Sequence, residues 1–171
     1  MNLYNVLAKL IDYPSAELME HLNEVLTVVD TLADINESEK KDIREFISWL
    51  TTHKPIRLQQ IYVQTFDMVP EHDLHLTHHL FGDDNNRGPA LIDLAEYYKE
   101  AGLEVKSKEI PDYLPLMLEY ASTLDTLQVQ VFFGDVVKVL QIIADNLDKV
   151  ESPYAKLIRL IENRGSLAKA A

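Results

Sequence analysis

The sequence predicts an all-α fold, a helical bundle in a single domain, and three observations predict it. The 171 residues include only 5 glycines and 7 prolines, so the uninterrupted stretches are long enough for helices. Apolar residues recur at steps of three and four through most of those stretches. An apolar content of 47% at this length can bury one core without disulfides or a structural metal.

Leu3 to Ile11 reads as the first helix and stops at Asp12-Tyr13-Pro14, because a proline disfavours helical geometry in the residue before it. Ser15 then caps a second helix, whose Leu18, Leu22, Val25, Val29 and Leu32 form one apolar stripe. Asn36 and Glu39 have the spacing of a capping box. Behind it Ile43, Phe46, Ile47 and Leu50 line a third helix, which also carries Trp49. Pro55 suits the first turn of a fourth, Ile56 to Met68, with Leu58, Ile61, Thr65 and Phe66 inward and Pro70 as its stop.

Asp73 is placed to cap a short helix, Leu74 to Phe81, which Gly82 ends. After the polar loop Asp83-Asp84-Asn85-Asn86-Arg87, Gly88-Pro89 opens a helix along Leu91, Leu94 and Tyr98 that closes at a left-handed Gly102. A polar link from Lys106 to Glu109 leads to Pro111, and Pro115 sets the start of the helix that ends at Ser122. Leu127 to Phe133 alternates with period two, which in isolation is a strand pattern. It is assigned as helix because a lone strand would have no partner, and Val136, Leu140, Ile143 and Leu147 resume the helical stripe. Ser152-Pro153 starts the last helix, through Tyr154, Leu157, Ile158 and Ile161 to Gly165. Residues 1–165 are thus read as one all-helical domain and 166–171 as a frayed, disordered tail.

Charge and composition exclude several function classes. With 28 acidic and 16 basic residues the formal net charge is −12, which repels nucleic acid and anionic lipid surfaces and attracts basic partners. Between Asp67 and Glu104 nine acidic residues stand against two basic ones. No run of 18 apolar residues occurs and the N-terminus lacks the pattern of a secretory signal, so the expected location is the cytoplasm, without membrane insertion. Without cysteine there is no thiolate ligand or nucleophile. The scattered glycines build no phosphate-cradling loop, and no Gly-x-Ser-x-Gly elbow marks a serine nucleophile. The chain is read as no enzyme and as holding no cofactor.

Three segments could carry function. In EHDLHLTHHLF, His75 shares a helical face with His78 or His79, a spacing at which two imidazoles can meet one metal. The nearest candidates for a third ligand are Asp83 and Glu71, and neither completes a zinc pattern, so peptide or cofactor contact is the preferred role; a metal-binding protein or metalloenzyme is the alternative. Asp83 and Arg87 flank the loop beside Gly82 and Gly88, either as an internal ion pair or as a mouth between two helices. Asp112 and Glu119 lie two turns apart while Tyr113, Leu116, Met117 and Tyr120 cover other sides. That segment is either an ordinary core helix or one wall of a groove where apolar and acidic side chains meet.

At these segments the chain resembles a known family. YVQTFD (Tyr62 to Asp67), LHLTHHLFGDDNNRGPALIDLAEYYKEAG and EIPDYLPLMLEY, with Leu10-Ile11-Asp12-Tyr13-Pro14 near the start, resemble in order and spacing the nitrate reductase delta subunit family of NarJ-like molybdenum-cofactor assembly chaperones. Glu109 and Ile110 depart mildly from the acidic residue and leucine usual before that proline. The resemblance implies the all-helical TorD-like fold. It also implies a cytoplasmic chaperone that binds the apo catalytic subunit of a molybdenum oxidoreductase through its N-terminal peptide and assists cofactor insertion; the expected state is a monomer or weak dimer. The family pattern maps onto Tyr62, Asp67, His78, His79, Asp83, Arg87, Asp112 and Glu119, and these, with Tyr113 and Leu116 from the candidate groove wall, are the expected peptide-binding residues. A helical, basic leader would lay its apolar face in a groove while its cations meet acids such as Asp83, Asp112 and Glu119.

Overall fold

A computed structural model describes residues 1–105 and 108–170, with side chains to Gly165 in the last helix. Among these residues helices are the regular structure, with no strand and one isolated antiparallel bridge between His75 and Tyr113. The expected link at Lys106 and Ser107 lies outside the described residues, as do the side chains of the expected tail.

Helix α1 (Leu3–Ile11) is opened by a capping box in which the Asn2 side chain accepts from the Tyr4 and Asn5 amides. The single stripe expected after Ser15 is broken into α2 (Ala16–Glu20) and α3 (Leu22–Thr31). His21 leaves helical geometry at φ −107° and ψ 12°, and its N–H donates to Leu18 O at 3.1 Å. That turn lets α3 pack on α1 and on α4 (Glu37–Thr51), burying Leu22, Val25 and Val29 while α2 buries no residue fully. Periodicity cannot register such a break, because Leu18 and Leu22 keep their spacing on either side of it. The Asn36–Glu39 capping box forms as expected.

The fourth expected helix divides as well. Regular α5 (Pro55–Tyr62) gives way to a π-helical turn, Val63–Asp67, in which Thr65 donates to Ile61 O at 2.7 Å. The widened turn buries Phe66 and leaves Asp67 exposed. A 3₁₀ turn, Pro70–His72, follows.

Helix α6 (Leu76–Phe81) begins two residues later than expected. Asp73 does accept from the His75 amide at 3.0 Å, but residues 74–76 are taken by the bridge: Leu114 N donates to Leu74 O at 2.9 Å and Leu76 N to Asp112 O at 3.2 Å. Gly82 at φ +53° ends α6, and α7 (Arg87–Glu100) runs to Gly102 at φ +74°. α8 (Leu114–Ala121) carries Pro115 in its first turn and packs along α1.

The alternating stretch is helical, as α9 (Thr126–Gly134), capped by Asp125 with Gln128. Wrapped on a helix, a period-two apolar pattern covers every side. Val129 and Phe133 are buried, while Leu127 and Val131 stand 69% and 67% exposed. α10 (Val137–Lys149) meets α9 at 73°, and α11 (Tyr154–Ala170) packs against α9, α10 and α4.

Gly165 is not the terminator the sequence suggests. It is buried within α11, and a Cβ there would lie 2.5 Å from Val137 Cγ2 and 3.2 Å from Phe133 O. The glycine therefore permits a close helix crossing. At the other end of α11, Tyr154 centres an aromatic cluster, with ring centroids 4.9 Å from Phe66, 5.0 Å from Phe46, 5.8 Å from Tyr62 and 5.9 Å from Trp49. No single described helix is long and apolar enough to cross a membrane.

Candidate functional site

The end of α1, the end of α5 and the start of α8 meet at three polar side chains. Asp12 Oδ1 accepts from its neighbour's amide, Tyr13 N, at 2.8 Å and from the Tyr113 hydroxyl at 2.9 Å. The Tyr113 oxygen lies 2.6 Å from that of Tyr62, whose hydroxyl also reaches Ile11 O at 2.8 Å. With Tyr113 donating to the carboxylate, Tyr62 has one proton facing two acceptors. Burial first, then the neighbouring hydroxyl, holds the Tyr62 phenol well above its ordinary range; burial and then Asp12 do the same to Tyr113.

These tyrosines form the floor of a cavity of about 150 Å³, walled by Tyr13 and Phe66 and rimmed by Asp12, Asp67, Asp73, His75 and Glu109. His75 stands between two carboxylates, Nδ1 at 2.7 Å from Asp73 and Nε2 at 2.9 Å from Glu109, and its ring stacks on Tyr113 at 5.3 Å. The hydrogen bond to Asp73, aided by Glu109 against the opposing effect of burial, pushes the imidazole up to about 9. Burial alone would raise the Asp73 carboxyl, but the His75 bonds outweigh it and the net direction is down. Asp67 moves up, through burial and then the negative charges of Glu109 and Asp73.

A second, larger cavity of about 480 Å³ lies between α1, α2 and α3. Its walls include Ala8, Leu18, Val25 and Val28, under a rim of Asp12, Glu17, Glu24 and Glu119 that is opposed by Lys9 and His21. Burial and then repulsion from Asp12 raise the Glu119 carboxyl, with Lys9 pulling the other way. Asp12 and Tyr13 line both cavities, which are therefore neighbours at the α1–α2 corner.

Asp112 overturns an expectation. Placed by the sequence reading among acids that meet a ligand's cations, it is 0% exposed. Its Oδ2 accepts from the Thr77 amide at 3.0 Å and from the Thr77 hydroxyl, and lies 3.7 Å from Arg87 Nη2. Arg87 Nε donates to Thr77 Oγ1 at 3.0 Å, while Asp112 Oδ1 is buried with no partner. The bridge between residues 74–76 and 112–114 carries Asp112 inward, beneath the start of α6. Arg87 therefore pairs with Asp112 rather than with Asp83, which lies exposed in the loop.

Of the ten expected residues, Tyr62, Asp67 and Tyr113 line one cavity, and Glu119 lines the other. His79 Nε2 donates to Asp73 O at 2.6 Å and His78 is exposed beside it, their rings 5.6 Å apart. Leu116 is half-buried against the core. The lining residues of the smaller cavity that are not among those ten are Asp12, Tyr13, Phe66, Asp73, Leu74, His75 and Glu109. A signal for the first two existed in Asp12-Tyr13-Pro14, one of the segments carrying the family resemblance.

The metal alternative finds no geometry. His75 is held between carboxylates, His79 faces the Asp73 carbonyl and His72 the Thr65 carbonyl at 2.9 Å. Among the described residues no three His, Asp or Glu side chains are arranged to hold a metal ion.

Comparison with known proteins agrees with the sequence resemblance. The family described as nitrate reductase delta subunit matches residues 16–158. The nitrate reductase molybdenum cofactor assembly chaperone NarJ of Escherichia coli K12 is 31% identical over 156 residues, 91% of this chain and 66% of that protein. A Bacillus subtilis protein named as a probable chaperone of the same kind is 27% identical over 158 residues, 92% of this chain and 85% of its own length. The nitrate reductase-like protein NarX of Mycobacterium tuberculosis is 26% identical over 159 residues, which are 23% of its length. The chain thus spans just under two thirds of the Escherichia coli relative. With a match that runs from α2 into α11, this chain belongs to the nitrate reductase delta subunit family.

Proposed function

We propose that this protein is an assembly chaperone for a nitrate-reductase-like molybdenum oxidoreductase. In this reading it acts in the cytoplasm, binds the apo catalytic subunit through that subunit's N-terminal peptide, and keeps it competent for insertion of the molybdenum cofactor. Its own residues bind and position; they carry out no covalent step. The names of the Escherichia coli and Bacillus subtilis relatives support the assembly role.

The observation that carries the peptide reading is the pair of neighbouring cavities that share Asp12 and Tyr13. Apolar walls from Ala8, Leu18, Val25 and Phe66 stand beneath a rim whose acids outnumber its bases, on a chain of net charge −12. A helix with one apolar and one basic face matches those two requirements at once. Tyr62 and Tyr113 form the floor, Asp67 and Glu119 receive cations at the rim, and His78, His79 and Asp83 extend the same surface along α6. Asp112 and Arg87 act from within, by holding α6 to α8.

Capture of the protein from its host and identification of the co-purifying polypeptide by mass tests the reading directly. A molybdoenzyme catalytic subunit is the expected companion. Calorimetry with a synthetic peptide of that subunit's N-terminus should then show one-to-one binding that weakens as salt screens the rim charges. A purified protein that captures no such subunit and ignores its leader peptide refutes the assignment.

A further inference from the structure

We propose that α7 is a hinged arm that detaches from the bundle, with Arg87 as its latch and the buried Asp112 as its keeper. The proposal stands on the geometry of the arm and holds whatever the chain binds.

The arm is poorly seated. Over its fourteen residues α7 buries only Tyr98, and it packs chiefly against α6. Leu91 and Leu94 are only half-buried, and Ile92 is 65% exposed. An isolated helix of this length is marginal in water, so α7 depends on the few attachments it has.

Those attachments, hydrogen bonds and aromatic ring contacts, sit near its two ends. At the start, Arg87 Nε donates to Thr77 Oγ1 at 3.0 Å, and its Nη2 stays 3.7 Å from Asp112 Oδ2, beyond hydrogen-bond length. Asp112 Oδ1 remains buried without a partner, so the closed latch leaves an acceptor unsatisfied. Near the end, the Tyr98 hydroxyl donates to Pro111 O at 2.5 Å, and the rings of Tyr97 and Tyr98 lie 6.1 and 5.5 Å from that of Tyr120. Hinges flank the arm: Gly82 and Gly102 hold φ of +53° and +74° with open space around both, a backbone region that glycine enters and leaves freely.

Opening breaks the Arg87 and Tyr98 bonds together and uncovers the corner where Thr77 meets Asp112. The Oδ1 atom of Asp112, buried without a partner in the closed form, becomes reachable in the open one. The arm therefore controls access to the one fully buried carboxylate among the described residues.

Hydrogen exchange on the whole chain, read by mass spectrometry, tests this without any ligand. Amides in 87–101 are expected to exchange well ahead of those in α10 and α11. Arg87→Gln should speed the 87–101 amides by about tenfold or more while α10 and α11 keep their rates, and Arg87→Lys should return part of the protection. Because the chain has 0 cysteines, a Tyr97→Cys, Tyr120→Cys pair can be joined by a short bis-maleimide, and that link should slow the arm again even with Arg87→Gln. The proposal is overturned if α7 exchanges only at the rate of α11, if Arg87→Gln leaves 87–101 unchanged, or if it accelerates every helix alike.

Discussion

The hydroxyl oxygens of Tyr62 and Tyr113, 51 residues apart in sequence, lie 2.6 Å from one another on the floor of the smaller cavity. Through them the ends of α1 and α5 are tied to the start of α8, since Tyr62 also reaches Ile11 O and Tyr113 reaches Asp12.

Removing either hydroxyl should expose the network's coupling. Tyr62→Phe leaves the Ile11 carbonyl without its side-chain donor and is expected to cost about 1–3 kcal/mol, and Tyr113→Phe a similar amount through Asp12. Because both variants break the same Tyr–Tyr contact, the double variant should lose less than the sum of the two. Urea unfolding of the four proteins measures it, and strict additivity would show that the two hydroxyls act independently.

His75 gives the fold a dependence on alkaline pH. Its folded value is pushed up to about 9, above an ordinary 6.5, by Asp73 and Glu109. A group raised on folding contributes fully below its unfolded value, and the contribution fades as pH rises through the folded one. His75→Gln should therefore be less stable than the parent at pH 6, by something on the order of 2 kcal/mol, with the difference shrinking between pH 7 and about 10. Subtracting the variant's stability profile from the parent's removes titrations common to both. A difference constant across that range would contradict the ion-pair assignment.

Gly165→Ala should destabilise, although alanine is by itself the better helix former. The added methyl would lie 2.5 Å from Val137 Cγ2 and 3.3 Å from Phe133 Cβ, and overpacking of this kind costs about 1–3 kcal/mol. Val137→Ala in the same chain should recover part of the loss by removing the closest contact. Thermal unfolding of the single and double variants decides it, and the recovery distinguishes a steric crossing from a general intolerance of substitution.

What could be read from the sequence, and what could not, divides by the range of the interactions involved. Asn36 with Glu39 is a local signal, and its capping box appears where it was expected. Gly82, Gly102 and Pro115 likewise act on their own backbone, and all three mark helix ends. The late start of α6 depends on a pairing with residues 112–114, far along the chain, and no local pattern announces it. The same pairing buries Asp112, so an acid that reads as part of a surface helix becomes an internal support. Gly165 fails for a related reason: its role lies in α9 and α10, whose proximity to α11 is a property of the packed bundle.

Two lysine substitutions separate rim acids from structural ones. Asp83 is exposed in the loop after α6 and makes no contact that the fold requires, so Asp83→Lys should unfold within about 0.5 kcal/mol of the parent. If the α6 surface receives a basic leader, the same change should weaken binding of that peptide several-fold and reduce its sensitivity to salt. Asp112→Lys has the opposite profile. An ammonium in place of a fully buried carboxylate removes the acceptor of the Thr77 amide and hydroxyl and sets a cation beside Arg87, a loss of about 3–5 kcal/mol. Circular dichroism with urea titration ranks the two for stability, and calorimetry with the leader peptide ranks Asp83→Lys against the parent for binding. An Asp112→Lys protein as stable as the parent would contradict the buried placement, and an Asp83→Lys protein with unchanged affinity would remove the α6 loop from the binding surface.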